Sequence, residues 1–249
     1  KLHKRPETYL CQEAKNFEKY LTNLHNLLDR VVAYRKDRGV RQESDPSPEL
    51  ICDDVREATF GRRGTHHVVM TSPPYGDNRT TIPYGQFSYL ALNWIPSEDL
   101  PRVPVKEWLA NTSAIDSASL GGSLKDATQK TRRVERLSPS MRAFFEEARD
   151  RGKAEPLRKV GAFLWDYYLA LKSVRKLTRG PSHWVVTSGN RTSAGMTVPF
   201  DIVCEEFVER LGGTRVETVH RELPVKRMPS RNSQGVLITS ETTLVASFD

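Results

Sequence analysis

The stretch HHVVMTSPPYGDN, residues 66–78, decides how the chain is read. Val68 to Thr71 has the composition of a short strand, and it runs directly into Ser72-Pro73-Pro74-Tyr75. Two consecutive prolines offer no N–H to a hydrogen-bond ladder, so the strand must end there. Ser72 and Pro73 each precede a proline and are therefore held extended. The result is a rigid corner that presents carbonyl and hydroxyl acceptors in a fixed direction, with the flat, amphipathic ring of Tyr75 beside them. Such a corner suits a planar group carrying an amine. The exocyclic amine of a nucleobase is a poor nucleophile because its lone pair is delocalised into the ring. Two directional acceptors bias that nitrogen toward a tetrahedral form and aim the lone pair at an electrophile, without any strong base.

Working outward, Leu50-Ile51-Cys52 reads as a second short strand that ends at the acidic pair Asp53-Asp54. Two strands with polar residues just past their carboxyl ends are the signature of an open α/β sheet, in which ligands collect at those ends. Residues 13–38 carry Phe17, Tyr20, Leu21, Leu24, Leu27, Leu28 and Val31 at three- and four-residue spacing, which predicts a packing helix. Helices are also predicted for 84–94, 139–150, 157–178 and 199–211, the last stopped by Gly212-Gly213. Strands are predicted at 184–187 and 214–223, and two alternating apolar runs at the end suit a terminal hairpin. Residues 96–135 are polar, poor in periodicity and the least core-like part. There is no internal repeat and no low-complexity segment.

With 249 residues the chain can bury a full core. No apolar run approaches the roughly 20 residues of a membrane span, the first residues lack a secretory leader's apolar core, and three scattered cysteines have no metal-ligand spacing. A soluble protein of a reducing, cytoplasmic setting is the expectation, with no metal. A net charge of +7 and a pI near 9.4 favour a polyanionic partner without identifying one.

The segment TSPPYGDN resembles motif IV of the amino-methylating DNA methyltransferases, whose signature is Ser, Asn or Asp followed by Pro-Pro and Tyr or Phe. TSPPYGDNRTTIPYGQFSYLALNWI, SLGG, VVTSGNRTSAGMTVPFDIVCEEFVERLGG and ELPVKRMPSRNS together look like a bacterial modification-methylase group, a resemblance that covers most of the chain from about residue 50 onward. It implies a sheet of the S-adenosylmethionine-dependent (Rossmann-like) α/β class with helices on both faces, double-stranded DNA as partner, and a role in a restriction system. By the same resemblance Ser72, Pro73, Pro74 and Tyr75 form the catalytic corner. Ser72 and the Pro73 carbonyl bind the target amine, and Tyr75 stacks on a base flipped from the duplex. The Ser form of the motif points to N4 of cytosine. The alternatives are N6 of adenine, an RNA base, or a DNA-binding subunit that needs a partner for its cofactor. Asp54, with Asp53 as its rival, takes the acidic position that hydrogen-bonds the cofactor adenine.

One part of the family pattern is missing. A Gly-rich turn, Phe-x-Gly-x-Gly, is not found, so the expectation is a catalytic domain over 46–249 that is incomplete on its N-terminal side, preceded by a helical segment over 1–45. A second polypeptide supplying that turn is the alternative. Residues 96–156 are the candidate target-recognition insertion. Arg79, Arg132, Arg133, Lys226, Arg227 and Arg231 are candidate DNA contacts, although a lone Lys or Arg is more often a solvated surface residue. Asp54 also fits a plain structural cap, Asn190 a plain turn, and His66-His67 a strand entrance.

Overall fold

The computed structural model describes residues 6–37, 51, 53–59, 66–75, 85, 92, 95–96, 111–223 and 240–249. The chain divides into two units, Lys1–Leu50 and Ile51–Asp249. The first unit contains helix α1, Pro6–Asp37, which holds the predicted stripe from Phe17 to Val31 and ends on the basic pair Arg35 and Lys36, suited to a helix carboxyl terminus.

The second unit is a mixed α/β body. Its described strands and helices run β1 His67–Thr71, α2 Thr112–Ala118, α3 Ala127–Leu137, α4 Pro139–Asp150, α5 Ala154–Leu177, β2 Ser182–Ser188, β3 Arg191–Ser193, β4 Met196–Val198, α6 Phe200–Arg210, β5 Thr214–Glu222 and β6 Ser240–Phe248. Four strands form one sheet in the order β1-β2-β6-β5. β1 and β2 are parallel, with Thr71 opposite Val186. β6 lies antiparallel to both β2 and β5, pairing Ser188 with Thr242 and Glu222 with Ser240. The carboxyl ends of β1, β2 and β5 and the start of β6 therefore share one end of the sheet. β3 and β4 form a separate two-stranded ribbon just after β2.

Alternation in β2 turns Ser182, Trp184, Val186 and Ser188 inward, and Leu244, Ala246 and Phe248 do the same in β6. Trp184 and Phe248 meet with ring centroids 4.6 Å apart. Helix α6 lies against β2, β5 and β6, and brings in Phe200, Val203, Phe207 and Val208. α5 adds Val160, Phe163, Leu164, Tyr167 and Leu171 at helical spacing, and α4 adds Met141, Phe144, Phe145 and Ala148. All of these hydrophobic residues belong to one contiguous buried cluster. On the other face of the sheet Val68, Met70 and His183 are exposed.

Several expectations are corrected. Of the strand expected at Leu50–Cys52, Leu50 and Cys52 lie outside the described residues; just after it, Asp53 is a bend and Val55–Glu57 form a turn. The carbonyl of Asp54 accepts from the N–H groups of Glu57 and Ala58, which closes the chain on itself before any ladder forms. Residues 127–135, placed in the least core-like part, belong to α3, which packs on α5. A sparse i, i+4, i+7 stripe of Ala127, Thr131 and Val134 is sufficient because α5 carries Gly161 at the crossing. A Cβ on Gly161 would stand 2.1 Å from the Thr131 hydroxyl oxygen, so small residues here replace the usual wide apolar face. The last apolar run forms β6, which pairs with β2 and β5; the first arm of the expected terminal hairpin lies outside the described residues.

Buried polar groups in the helical layer are paired with care. Lys130 meets Asp166 at 3.1 Å, and the Gly121 N–H donates to the same carboxylate at 3.2 Å. Ser138 caps α4 by accepting from the Met141 N–H at 3.0 Å, while its own hydroxyl donates to Glu206. Glu206 also accepts from the N–H and hydroxyl of Ser140, so a carboxylate sits at the positive end of α4.

Candidate active site

The Ser-Pro-Pro-Tyr corner stands at the carboxyl end of β1, on the end of the sheet where β2 and β5 also finish. Ser72 is exposed, Pro73 is buried, and Pro74 and Tyr75 are half-buried. The buried proline anchors the corner against the body while the serine hydroxyl stays accessible. Among the described residues nothing donates to the Pro73 carbonyl, and the described contact of the Ser72 hydroxyl is the one with Tyr75.

Tyr75 reaches across the end of β2. Its hydroxyl donates to Glu241 Oε1 at 3.0 Å and lies 3.5 Å from Ser72 Oγ. Glu241, the second residue of β6, lies directly opposite Arg221 of β5, and the two form an ion pair through Glu241 Oε2. Burial raises the Tyr75 phenol above its ordinary pKa; the Ser72 hydrogen bond opposes this, and the Glu241 carboxylate adds to it. Neither Glu241 nor Arg221 is prominent in the sequence. The available signal is their position: an acid at the start of one strand and a base at the end of its antiparallel neighbour fall at the same sheet end as the corner.

Asp53 and Asp54 are placed differently. Asp53 Oδ1 accepts from the Asp54 N–H at 2.8 Å. Asp54 Oδ1 accepts from the Arg56 N–H at 2.9 Å, and both its oxygens hold the Arg56 guanidinium, with Nε at 2.9 and 3.0 Å. The Arg56 side chain holds the Asp54 carboxyl below its ordinary pKa, against an opposing effect of burial. Arg56 in turn lines an open cavity of about 310 Å³ together with Ser119, Ser123, Lys125, Lys130 and Asp166. Sequence reasoning misses this polar recess, whose nearest signal is the SLGG turn.

Arg132 and Arg133 are exposed on α3. The Arg133 guanidinium stacks over Trp165, 4.9 Å from the ring centroid, whereas Arg132 lines an open recess with Arg136, Arg142, Arg149 and the acids Glu135 and Glu146. Asn190 accepts the Asp201 N–H at 3.1 Å and so helps cap α6. Arg79, Lys226, Arg227 and Arg231 lie outside the described residues. Among the described residues no group of three or more His, Cys, Asp or Glu could hold a metal, and no helix is long and apolar enough to cross a membrane.

Comparison with known proteins finds one informative similarity. The chain is 30% identical over 188 residues to the Type II methyltransferase M.MvaI of Kocuria varians. The matched region is 72% of this chain and 39% of that protein, so the chain spans well under half the length of the relative it matches. No family model matches the chain, and no solved structure matches it significantly.

Proposed function

We propose that this chain carries the target-base part of an S-adenosylmethionine-dependent DNA methyltransferase, and that the Ser72–Tyr75 corner holds the N4 amine of a cytosine flipped from the duplex. The observation that carries the reading is the exposed Ser72 hydroxyl next to the Pro73 carbonyl, to which no described residue donates, beside an aromatic ring at the carboxyl end of β1. The similarity to a methyltransferase supports it. Ser72 Oγ and the Pro73 carbonyl would each accept one amine hydrogen, leaving the nitrogen lone pair directed away from both. The ring of Tyr75 would stack on the base and help offset the few kcal/mol that flipping costs. On transfer the N–CH3 bond would form as the S–CH3 bond of the donor sulfonium breaks, leaving a neutral thioether, and the nitrogen would release one proton to solvent. Modification within a restriction system is the setting this reading suggests.

S-adenosylmethionine would supply the methyl group, but the described residues do not by themselves fit it. The acidic candidates Asp53 and Asp54 already accept backbone N–H groups, and Arg56 occupies both oxygens of Asp54. We therefore assign completion of the cofactor site to polypeptide beyond the described residues, with Asp54 contributing only after exchange with Arg56. One structural observation favours a site completed in this way. Among the described residues β1 pairs on one side only and exposes Val68 at 65% and Met70 at 77%, unusual for a strand in a parallel pairing.

The test is to supply labelled S-adenosylmethionine with duplex DNA or RNA and digest the product to nucleosides. N4-methylcytosine from DNA is the expected product. Methyladenine would overturn the base assignment, and label in RNA alone would overturn the substrate. Absence of label from this chain, alone and combined with any polypeptide that completes its cofactor site, would sink the methyltransferase reading.

A further inference from the structure

We infer that Glu241, held by Arg221, is a positioning residue that fixes the direction of the hydroxyl protons in the Ser72–Tyr75 corner, so that Ser72 Oγ meets the substrate amine as an acceptor. The inference rests on the function proposed above and extends it to two residues from the far strands of the sheet.

The argument is one of donors and acceptors. An ionised carboxylate has no proton to give, so at 3.0 Å from Glu241 Oε1 the Tyr75 hydroxyl must be the donor. Its single proton is then committed, and only lone pairs remain for its other neighbour. That neighbour is Ser72 Oγ at 3.5 Å, a long contact in which serine is left as the donor. With its proton turned inward, Ser72 presents both lone pairs to the open side, where an amine N–H can be accepted. If the proton faced outward instead, it would compete for the nitrogen lone pair that must attack the methyl group.

Arg221 makes the arrangement one-directional. It lies opposite Glu241 in the strand register and occupies the second carboxylate oxygen. Glu241 is the sheltered partner, its side chain 15% exposed against 69% for Arg221, so the charge that orders the chain lies on the low-dielectric side. Strands β5 and β6 thereby orient a hydroxyl at the end of β1, with β2 between them.

Glu241→Gln is the decisive variant because it keeps the shape. Arg221 would draw the amide oxygen, leaving the NH2 group to donate to Tyr75 and reverse the polarity. Two measurements are made on Glu241→Gln, Tyr75→Phe and the double variant. The first is the phenol titration of Tyr75, taken as the ultraviolet difference between a protein that keeps this tyrosine and its counterpart carrying Tyr75→Phe. Loss of the carboxylate should move the titration to lower pH in Glu241→Gln; an unmoved titration overturns the hydrogen-bond chain, whether or not the protein methylates anything. The second is methyl transfer by the intact polypeptide. We expect kcat to fall about tenfold in each single variant with KM for DNA little changed, and the double variant to be no slower than Tyr75→Phe. An unchanged kcat in Glu241→Gln, in a protein whose parent is active, overturns the positioning role. If the parent protein transfers no methyl group, the proposed function fails on its own, and the titration still decides the hydrogen-bond chain.

Discussion

The Ser72–Tyr75 corner and the Asp53–Arg56 turn are made of similar material, short polar side chains at a chain reversal, and they end in opposite states. At the first, prolines remove the local N–H donors that would otherwise satisfy nearby oxygens, and Ser72 remains exposed. At the second, donors to the acids stand within two residues. Asp53 takes the Asp54 N–H, and Asp54 takes both the Arg56 N–H and its guanidinium. An acceptor without a local donor is prepared for a ligand; an acceptor beside its own arginine is prepared for a turn. Residue type nominates both corners, and the supply of neighbouring donors separates them.

The most forceful way to break this contrast is to remove the acceptor from each. Ser72→Ala deletes a group that acts on the reacting nitrogen, so methyl transfer should fall by about 100-fold, with the melting temperature nearly unchanged because the side chain is exposed. Single-turnover rates with bound DNA separate this from weaker binding. Full activity in Ser72→Ala would return the corner to the status of a structural turn.

Asp54→Ala should behave the other way round. It loses a turn hydrogen bond and a bidentate ion pair at a site with Asp54 and Arg56 side chains 36% and 43% exposed, so the expected effect is a stability loss of about 1 kcal/mol, read by denaturant midpoint. If Asp54 also holds the cofactor adenine, the variant will additionally raise the KM for S-adenosylmethionine while leaving kcat in place. A stability loss without that KM change would leave Asp54 purely structural.

The same turn gives a smaller, pH-dependent signature. Because Arg56 lowers the Asp54 pKa, the folded state favours the ionised acid more than the unfolded chain does. The stabilisation is therefore complete above about pH 4, the ordinary range of an aspartate, and is lost as pH falls through the lowered value. Acid unfolding curves of the parent and Asp54→Ala should converge at low pH. Curves that stay parallel would show that the Arg56 pair contributes nothing to folding.

The sheet end is legible in the sequence wherever local chemistry is enough. Proline chemistry locates the end of β1, the stripe in 157–178 locates α5, and Gly212-Gly213 locates the end of α6. What stays hidden depends on partners distant in sequence. Glu241 lies 166 residues from Tyr75, and nothing in ETTLVASF shows that its first residue meets a phenol. α3 reads as polar because its packing stripe consists of an alanine, a threonine and a valine, and only Gly161 on the facing helix makes so narrow a stripe sufficient.

The smallest predicted effect carries the contrast to the basic residues of α3. Arg133 is engaged with the Trp165 ring, while Arg132 makes no hydrogen bond or ion pair with the described residues. Arg132 is thus the arginine that could neutralise a phosphate without first giving up a protein contact. Arg132→Ala should weaken DNA binding a few-fold, equally for all sequences, and reduce the slope of log affinity against log salt by about one. Arg133→Ala should leave that slope nearly unchanged and instead lower stability by about 0.5–1 kcal/mol, the size of an exposed cation–π contact. If the two variants exchange these signatures, freedom from local partners would not identify ligand-facing groups on this protein, and the argument from available acceptors at Ser72 would lose its closest parallel.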